Sequence, residues 1–518
     1  MMKRLCIAFV TLMMVAAGGC GPDEARNNDF DVEEDAGYDA DQDDGGETEE
    51  DTGDREEDTG GGGEDDEAAD GAACDSAADC AGDQCFTEQQ QFPDGYCSTT
   101  GCTSDDDCVS GEDHEATCVQ SGQGNFCMRT CTTPDDCRDG YTCQAVGEGE
   151  DLCIPGEAPD PNLDEEAIDD HPFEITCGLE AEDGELDIDF EVDEETSAYM
   201  ITPLALDGIS VTPTAIELPD GDQISFSGDN DFQTVNSQMF GYLNPIVTPA
   251  IADFEDQLQS GEHTLKLDTA SEDVCYYQFE ESEPGTTVDL NVYLVGVPGI
   301  DADSASDNED MQVVLDGFEE IYEQADVEIG EIEFRDIEGD DREAYRVVRS
   351  EEELSELVAL SERPEGGEDA ALSANVFFVE SMQLDSGFGG VQSGAIGISL
   401  GLPGPAGLHG TSSSGVVFTS EYMGEEEAES SLGDTVDGND LTGIVLAHEL
   451  GHYLGLFHTS EQFGQGYDPI DDTPECESGF PTQCPDLGNL MFPMAGADHT
   501  EVTEGQSHVI QANPLTKE

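Results

Sequence analysis

One run of eleven residues constrains this chain more than any other: His448-Glu449-Leu450-Gly451-His452-Tyr453-Leu454-Gly455-Leu456-Phe457-His458. On an α-helix, residues four apart share a face, so His448 and His452 present two imidazole nitrogens to one point. Glu449 lies one step round the helix, displaced toward the open side of that point. Gly455 takes backbone conformations that other residues avoid, which lets the chain leave the helix and return His458 as a third nitrogen. Three imidazoles converging on one point make a zinc site. Three protein ligands leave a fourth position for water, the arrangement of catalytic rather than structural zinc. The chain has nine histidines in 518 residues, and three of them fall here.

The length leaves room for three or more domains with at least one large core. The formal net charge is -111, from 124 acidic and 13 basic residues. That balance excludes a basic face for nucleic acid and sets up a field that repels polyanions. It implies an acidic, well-hydrated surface.

The first residues read as an export signal. Lys3 and Arg4 precede an apolar run from Leu5 to Ala17, too short to span a bilayer, and then comes Gly18-Gly19-Cys20. Small residues directly before a cysteine resemble the lipobox of bacterial lipoproteins, although Ala17 stands where leucine is commonest. The resemblance implies a signal peptide over residues 1–19 and a lipid anchor at Cys20 that holds the protein to a membrane of the cell envelope. Ordinary cleavage and secretion is the alternative. Residues 20–73 hold this cysteine and an acidic stretch with almost nothing to bury, expected to be a disordered linker.

Twelve of the 18 cysteines lie between Cys74 and Cys153, in three groups of four that each open with C-x5-C and an aspartate before the second cysteine. An internal repeat with an even cysteine count in an exported chain reads as three small disulfide modules over 74–154, their connectivity open. Residues 172–284 carry short alternating segments such as Leu186-Asp187-Ile188-Asp189-Phe190, separated by turn signals. They read as a β-sandwich accessory domain, with Cys177 and Cys275 as a staple between its first and last strands.

The last domain, residues 286–518, opens with the strand Val288 to Val295. A capping box at Ser306-Asp307-Asn308-Glu309 starts a helix with Met311, Val314, Leu315, Phe318, Ile321 and Tyr322 at helical spacing. Val327–Phe334, Ala374–Val379 and Gly415–Thr419 read as strands of a mixed sheet. Asp440 is the expected cap of the histidine-bearing helix. Downstream, Asn489-Leu490-Met491-Phe492-Pro493 offers a methionine in a tight turn, with Met494 as the other candidate.

These motifs resemble the metzincin zinc proteases, and within them the pappalysin-like (cytophagalysin-like) branch. The features are Gly415-Val416-Val417-Phe418, the stretch from His452 to Thr459, Asp471-Asp472-Thr473-Pro474 and Asn489-Leu490-Met491. The resemblance implies an α/β (α+β) protease domain with zinc on His448, His452 and His458, and Glu449 as general base and acid. It implies Met491 as a floor beneath the ligands and Gly415, Val416, Val417 and Phe418 as the strand whose edge binds substrate. Calcium in the acidic loop Asp468–Asp472 is a further implication, with Cys476 and Cys484 bridging that loop. One departure is Pro493, where related enzymes often carry a tyrosine.

The expected architecture is therefore multidomain: disulfide-rich repeats, a β-sandwich, then the zinc-protease domain. The expected activity is hydrolysis of protein or peptide substrates. The alternative from another class is an inactive cell-surface binding protein in which the disulfide and β domains mediate adhesion or recognition.

Overall fold

The computed structural model describes residues 68–155 and 171–517, apart from short stretches inside these ranges, the longest of them 227–242. The expected export signal, Cys20 and the acidic segment up to residue 67 lie outside the described residues. Among the described residues, no helix is long and apolar enough to cross a membrane.

The three cysteine repeats share one bridging pattern where it is described. Cys74 joins Cys85 and Cys80 joins Cys97, while Cys102 joins Cys118 and Cys108 joins Cys127. Cys137–Cys153 repeats the second-to-fourth link. The aspartate before the second cysteine turns out to be a cap. Asp79 accepts from the backbone and hydroxyl of Ser76 at 2.8 and 3.0 Å, and Asp107 accepts from both groups of Thr103 at 2.8 Å. Each carboxylate thus fixes the turn that sets two cysteines apart. A core as small as that around Tyr96, Met128 and Tyr141 needs such staples, and they belong to an oxidising compartment.

The next region is two antiparallel four-stranded sheets. In chain order the strands are β1 (Thr176–Leu179), β2 (Glu185–Val192), β3 (Ala198–Ala205), β4 (Val211–Glu217), β5 (Gln223–Ser225), β6 (Ile246–Thr248), β7 (Gly261–Thr269) and β8 (Val274–Glu281). The sheet orders are β5-β4-β7-β2 and β6-β3-β8-β1. Strand β2 alternates exposed and buried along its length, as its sequence requires, whereas β3 is buried at every position. The sheet holding β3 has the other sheet on one face and the C-terminal region on the other, within one continuous apolar core. Cys177 on β1 is bridged to Cys275 on β8.

The C-terminal region is built on β9 (Thr287–Val295), α1 (Glu309–Tyr322), β10 (Glu328–Asp336), β11 (Ala374–Val379), β12 (Gly397–Ser399), β13 (Val416–Thr419), α2 (Gly438–Tyr453), α3 (Glu504–Gln511) and β14 (Thr516–Lys517). The sheet order is β10-β9-β11-β13-β12, with β14 beside the first residues of β9. The first four of these strands are parallel and β12 is antiparallel to β13. The cap of α1 is Asn308, which accepts from Met311 N at 2.9 Å, two residues later than the Ser306 box suggests. Helix α2 is capped by Asp437 rather than Asp440, which lies in its first turn. There its carboxylate still favours the positive end of the helix. Alone among the residues of α2, Asp440 is not buried, so this is a core helix with no polar face. Gly443 makes room for α1: a Cβ there would lie 2.8 Å from Val314 O.

One expectation is overturned. Gly415–Phe418 is not an edge, because β13 pairs with β11 on one side and β12 on the other, and all four of its residues are buried. A run of Val-Val-Phe suits a central strand buried on both faces. Among the described residues, the edge of the sheet on this side is β12, a Gly-Ile-Ser segment too short to be conspicuous in the sequence.

Candidate metal centre

The three histidines arrive by two routes. His448 and His452 are successive turns of α2, and both rings are buried. The helix then ends in a Schellman turn: Gly455 N donates to His452 O and Leu456 N to Gly451 O, both at 2.9 Å. This turn needs Gly455, whose φ is +111°. It brings His458 back so that ring centroids lie 5.3 Å from His448 and 4.8 Å from His452. One ligand atom from each of the three lies within 4.8 Å of the others.

The chain fixes which nitrogen faces inward. His448 Nδ1 lies 2.7 Å from Leu490 O and His452 Nδ1 lies 2.6 Å from Leu456 O. A carbonyl only accepts, so each Nδ1 carries the proton and each Nε2 presents a lone pair. Among the described residues, neither Nε2 has a hydrogen-bond partner, and both oxygens of Glu449 are in the same condition. Burial depresses the His448 pKa to about 3, with the closeness of the His458 ring adding to the effect. Burial, then the closeness of the His448 and His458 rings, which disfavours a second proton, holds His452 well below the usual range. Both imidazoles are therefore neutral donors at physiological pH. Burial raises the Glu449 carboxyl well above its ordinary value; the Ser399 amide acts the other way from outside hydrogen-bonding geometry.

Met491 is fully buried under α2, and a Cβ on Gly451 would lie 2.9 Å from its Sδ. Its turn ties two histidines together. Leu490 O holds His448, while Met491 O accepts from Thr459 N, the residue after His458, at 3.1 Å. Met494 is half-buried by contrast.

Strand β12 borders the same site. A Cβ on Gly397 would lie 2.6 Å from Glu449 Cγ, so only glycine allows this approach. Thr419 N donates to Ile396 O and Leu400 N to Gly415 O. Alternation along an antiparallel pair then turns the amides and carbonyls of Gly397 and Ser399 toward the open edge.

The loop after His458 carries Asp468, half-buried, with Oδ1 accepting from Thr473 and Ile470. Among the described residues its Oδ2 has no partner, nor has Oδ1 of buried Asp486. Burial, with Asp472 and Asp486 adding to it, raises the Asp468 carboxyl to about 7. Cys476 and Cys484 are bridged within this loop. Sequence reasoning did not single out Asp486, because nothing in a chain with 124 acidic residues marks one carboxylate as buried.

No family model and no curated protein matches this chain. Among solved structures, it is similar to archaemetzincin from Methanopyrus kandleri, at 15% identity and TM-score 0.23 over 45% of this chain and 91% of that one. It is also similar to metalloproteinase-II from Bacteroides fragilis, at 11% identity and TM-score 0.24 over 66% of this chain and 87% of that one.

Proposed function

We propose that this protein is a zinc-dependent endopeptidase. The observation that carries the reading is a convergent set of buried polar atoms with no partner among the described residues: Nε2 of His448 and His452 and both carboxylate oxygens of Glu449. Leaving such groups unsatisfied is costly, and a divalent cation held by three imidazoles offsets that cost at the ring nitrogens. The donor set fits zinc, with His448, His452 and His458 as ligands. Zinc bound there supplies Lewis acidity at the scissile carbonyl and a lowered pKa for water.

The chain's own residues do the rest. Glu449 takes a proton from the attacking water on its carboxylate and passes it to the leaving amide nitrogen. Its surroundings suit a proton carrier, because burial makes the protonated carboxyl easy to reach. The outward amides and carbonyls of Gly397 and Ser399 accept an extended peptide as an added strand, beside Glu449. Met491 and the Leu490 carbonyl hold the His448 ring. Asp468 and Asp486, with two buried partnerless oxygens, take calcium and stiffen the loop after His458. Lipid attachment through Cys20 and export to the cell envelope complete the reading, and the pappalysin-like branch is its finer assignment.

The experiment is digestion of an unfolded protein such as casein by the full chain. Cleavage that a chelator stops and added zinc restores is expected. Metal-loaded protein that cleaves nothing would favour the inactive binding protein.

A further inference from the structure

We infer that the β-sandwich is a working part of the metal centre, with Tyr277 as the positioning residue that fixes segment 402–410 behind the last turn of α2. The inference takes its site from the metallopeptidase reading.

The segment is gripped on two sides. On the sandwich side, Tyr277 is buried and its hydroxyl donates to Ala406 O at 2.9 Å. The next residue, Gly407, has φ +75°, and a Cβ there would lie 2.6 Å from the Phe173 ring. That ring packs in turn on Tyr277 and Phe279, with centroids 5.0 and 4.8 Å away. Two adjacent backbone units of the segment are thus seated on sandwich side chains, one by a hydrogen bond and one by contact.

On the other side, Gly404 N donates to Tyr453 O at 2.8 Å. A Cβ on Gly404 would lie 2.0 Å from the Tyr453 ring, so the backbone lies flat against it. Tyr453 directly follows the ligand His452, and its carbonyl is one of those a helix end leaves unsatisfied. Two residues further on, Gly455 makes the turn toward His458, with Pro403 Cβ 3.9 Å from where its Cβ would stand. The far end of the segment is pinned as well. His409 Nε2 lies 2.9 Å from Ala371 O, and Gly410 N donates to Ser361 Oγ at 2.8 Å.

A single layer of backbone therefore separates sandwich side chains from the helix end that orients His452 and launches His458. Register places Thr202 opposite Tyr277 and Met200 opposite Phe279 on the same face of this sheet. Tyr276 points to the other face, its hydroxyl 3.4 Å from Asp189 O on β2. Of the two neighbouring tyrosines, Tyr277 holds the segment and Tyr276 holds only the sandwich.

The test uses the full chain with Tyr277→Phe, and Tyr276→Phe as control. Zinc affinity is read by competition with a chromogenic chelator, and site geometry by the visible absorption of the cobalt-loaded protein. Tyr277→Phe is expected to weaken zinc about 3- to 10-fold, the range of one lost hydrogen bond, and to shift the cobalt bands, while Tyr276→Phe does neither. Coupling is reciprocal, so zinc should also slow hydrogen exchange at Ala198–Ala205 in the wild type. Unchanged zinc affinity and cobalt bands in Tyr277→Phe would overturn the inference, as would equal effects from both variants. Metal binding that responds to Tyr277 in a chain that cleaves no peptide would sink the peptidase reading and leave this one standing. A wild-type chain that binds neither zinc nor cobalt would sink both.

Discussion

The β-sandwich and the region around α2 share one apolar core, yet one buries a histidine singly and the other gathers three at one point. In the sandwich, His263 lies between Phe190 and Tyr199 with ring centroids at 5.3 and 5.8 Å, and its Nδ1 lies 3.0 Å from Gly261 O. It is one buried histidine among aromatic rings, held neutral by burial. Around α2, three histidines converge with Glu449 beside them, and the inward atoms of His448, His452 and Glu449 meet no protein partner. The difference teaches where function resides. Partnerless buried polar atoms occur in both regions, Nε2 of His263 among them, but among the described residues only the region around α2 brings three histidines to one point beside a buried carboxylate.

That contrast can be broken in several ways. The largest effect is expected from His452→Ala, which removes a zinc ligand while Gly455 and its turn remain. Zinc affinity measured by chelator competition should fall by more than about 100-fold, since loss of a ligand exceeds the loss of an outer partner. Next comes Gly397→Val. Its side chain would have to occupy space 2.6 Å from Glu449 Cγ, so turnover should fall by about 10-fold or more in a peptide assay, with zinc affinity kept. In the sandwich, replacing Cys177 and Cys275 by alanine opens a loop with a sequence separation of 98. Unfolding by urea should show a loss of about 2–5 kcal/mol.

The smallest effect sharpens the comparison through pH. His263 has a folded pKa below the ordinary 6.5, so the unfolded chain takes up its proton first on acidification. The stability it contributes is complete above pH 6.5 and is lost as pH falls toward its depressed folded value. His263→Phe should flatten the melting temperature against pH below 6.5. A profile unchanged by that substitution would show that the ring does not titrate against an apolar surrounding.

The sequence was most legible where one short pattern had one physical solution. The alternation Leu186 to Phe190 can hide its apolar residues only as a strand with one face inward, and it is β2. The spacing of His448, His452 and His458 can converge only through a helix and a glycine turn, and the structure brings these rings together. What stayed hidden depends on contacts distant in sequence. Strand β12 is three residues long and gains its meaning from lying beside Glu449, so the more conspicuous Val416–Thr419 reads as the edge in its place. The caps at Asn308 and Asp437 differ from Ser306 and Asp440 because several adjacent residues could each have served. The role inferred for Tyr277 rests on a hydrogen bond across 129 residues of chain, which no local pattern announces.

The most direct test of the central claim is Glu449→Ala in the full chain, with zinc content and casein hydrolysis measured on the same preparation. A catalytic Glu449 predicts a zinc content like that of the wild type, because the three imidazoles are untouched, together with loss of hydrolysis to background. Hydrolysis retained by a pure, zinc-loaded Glu449→Ala preparation would contradict it.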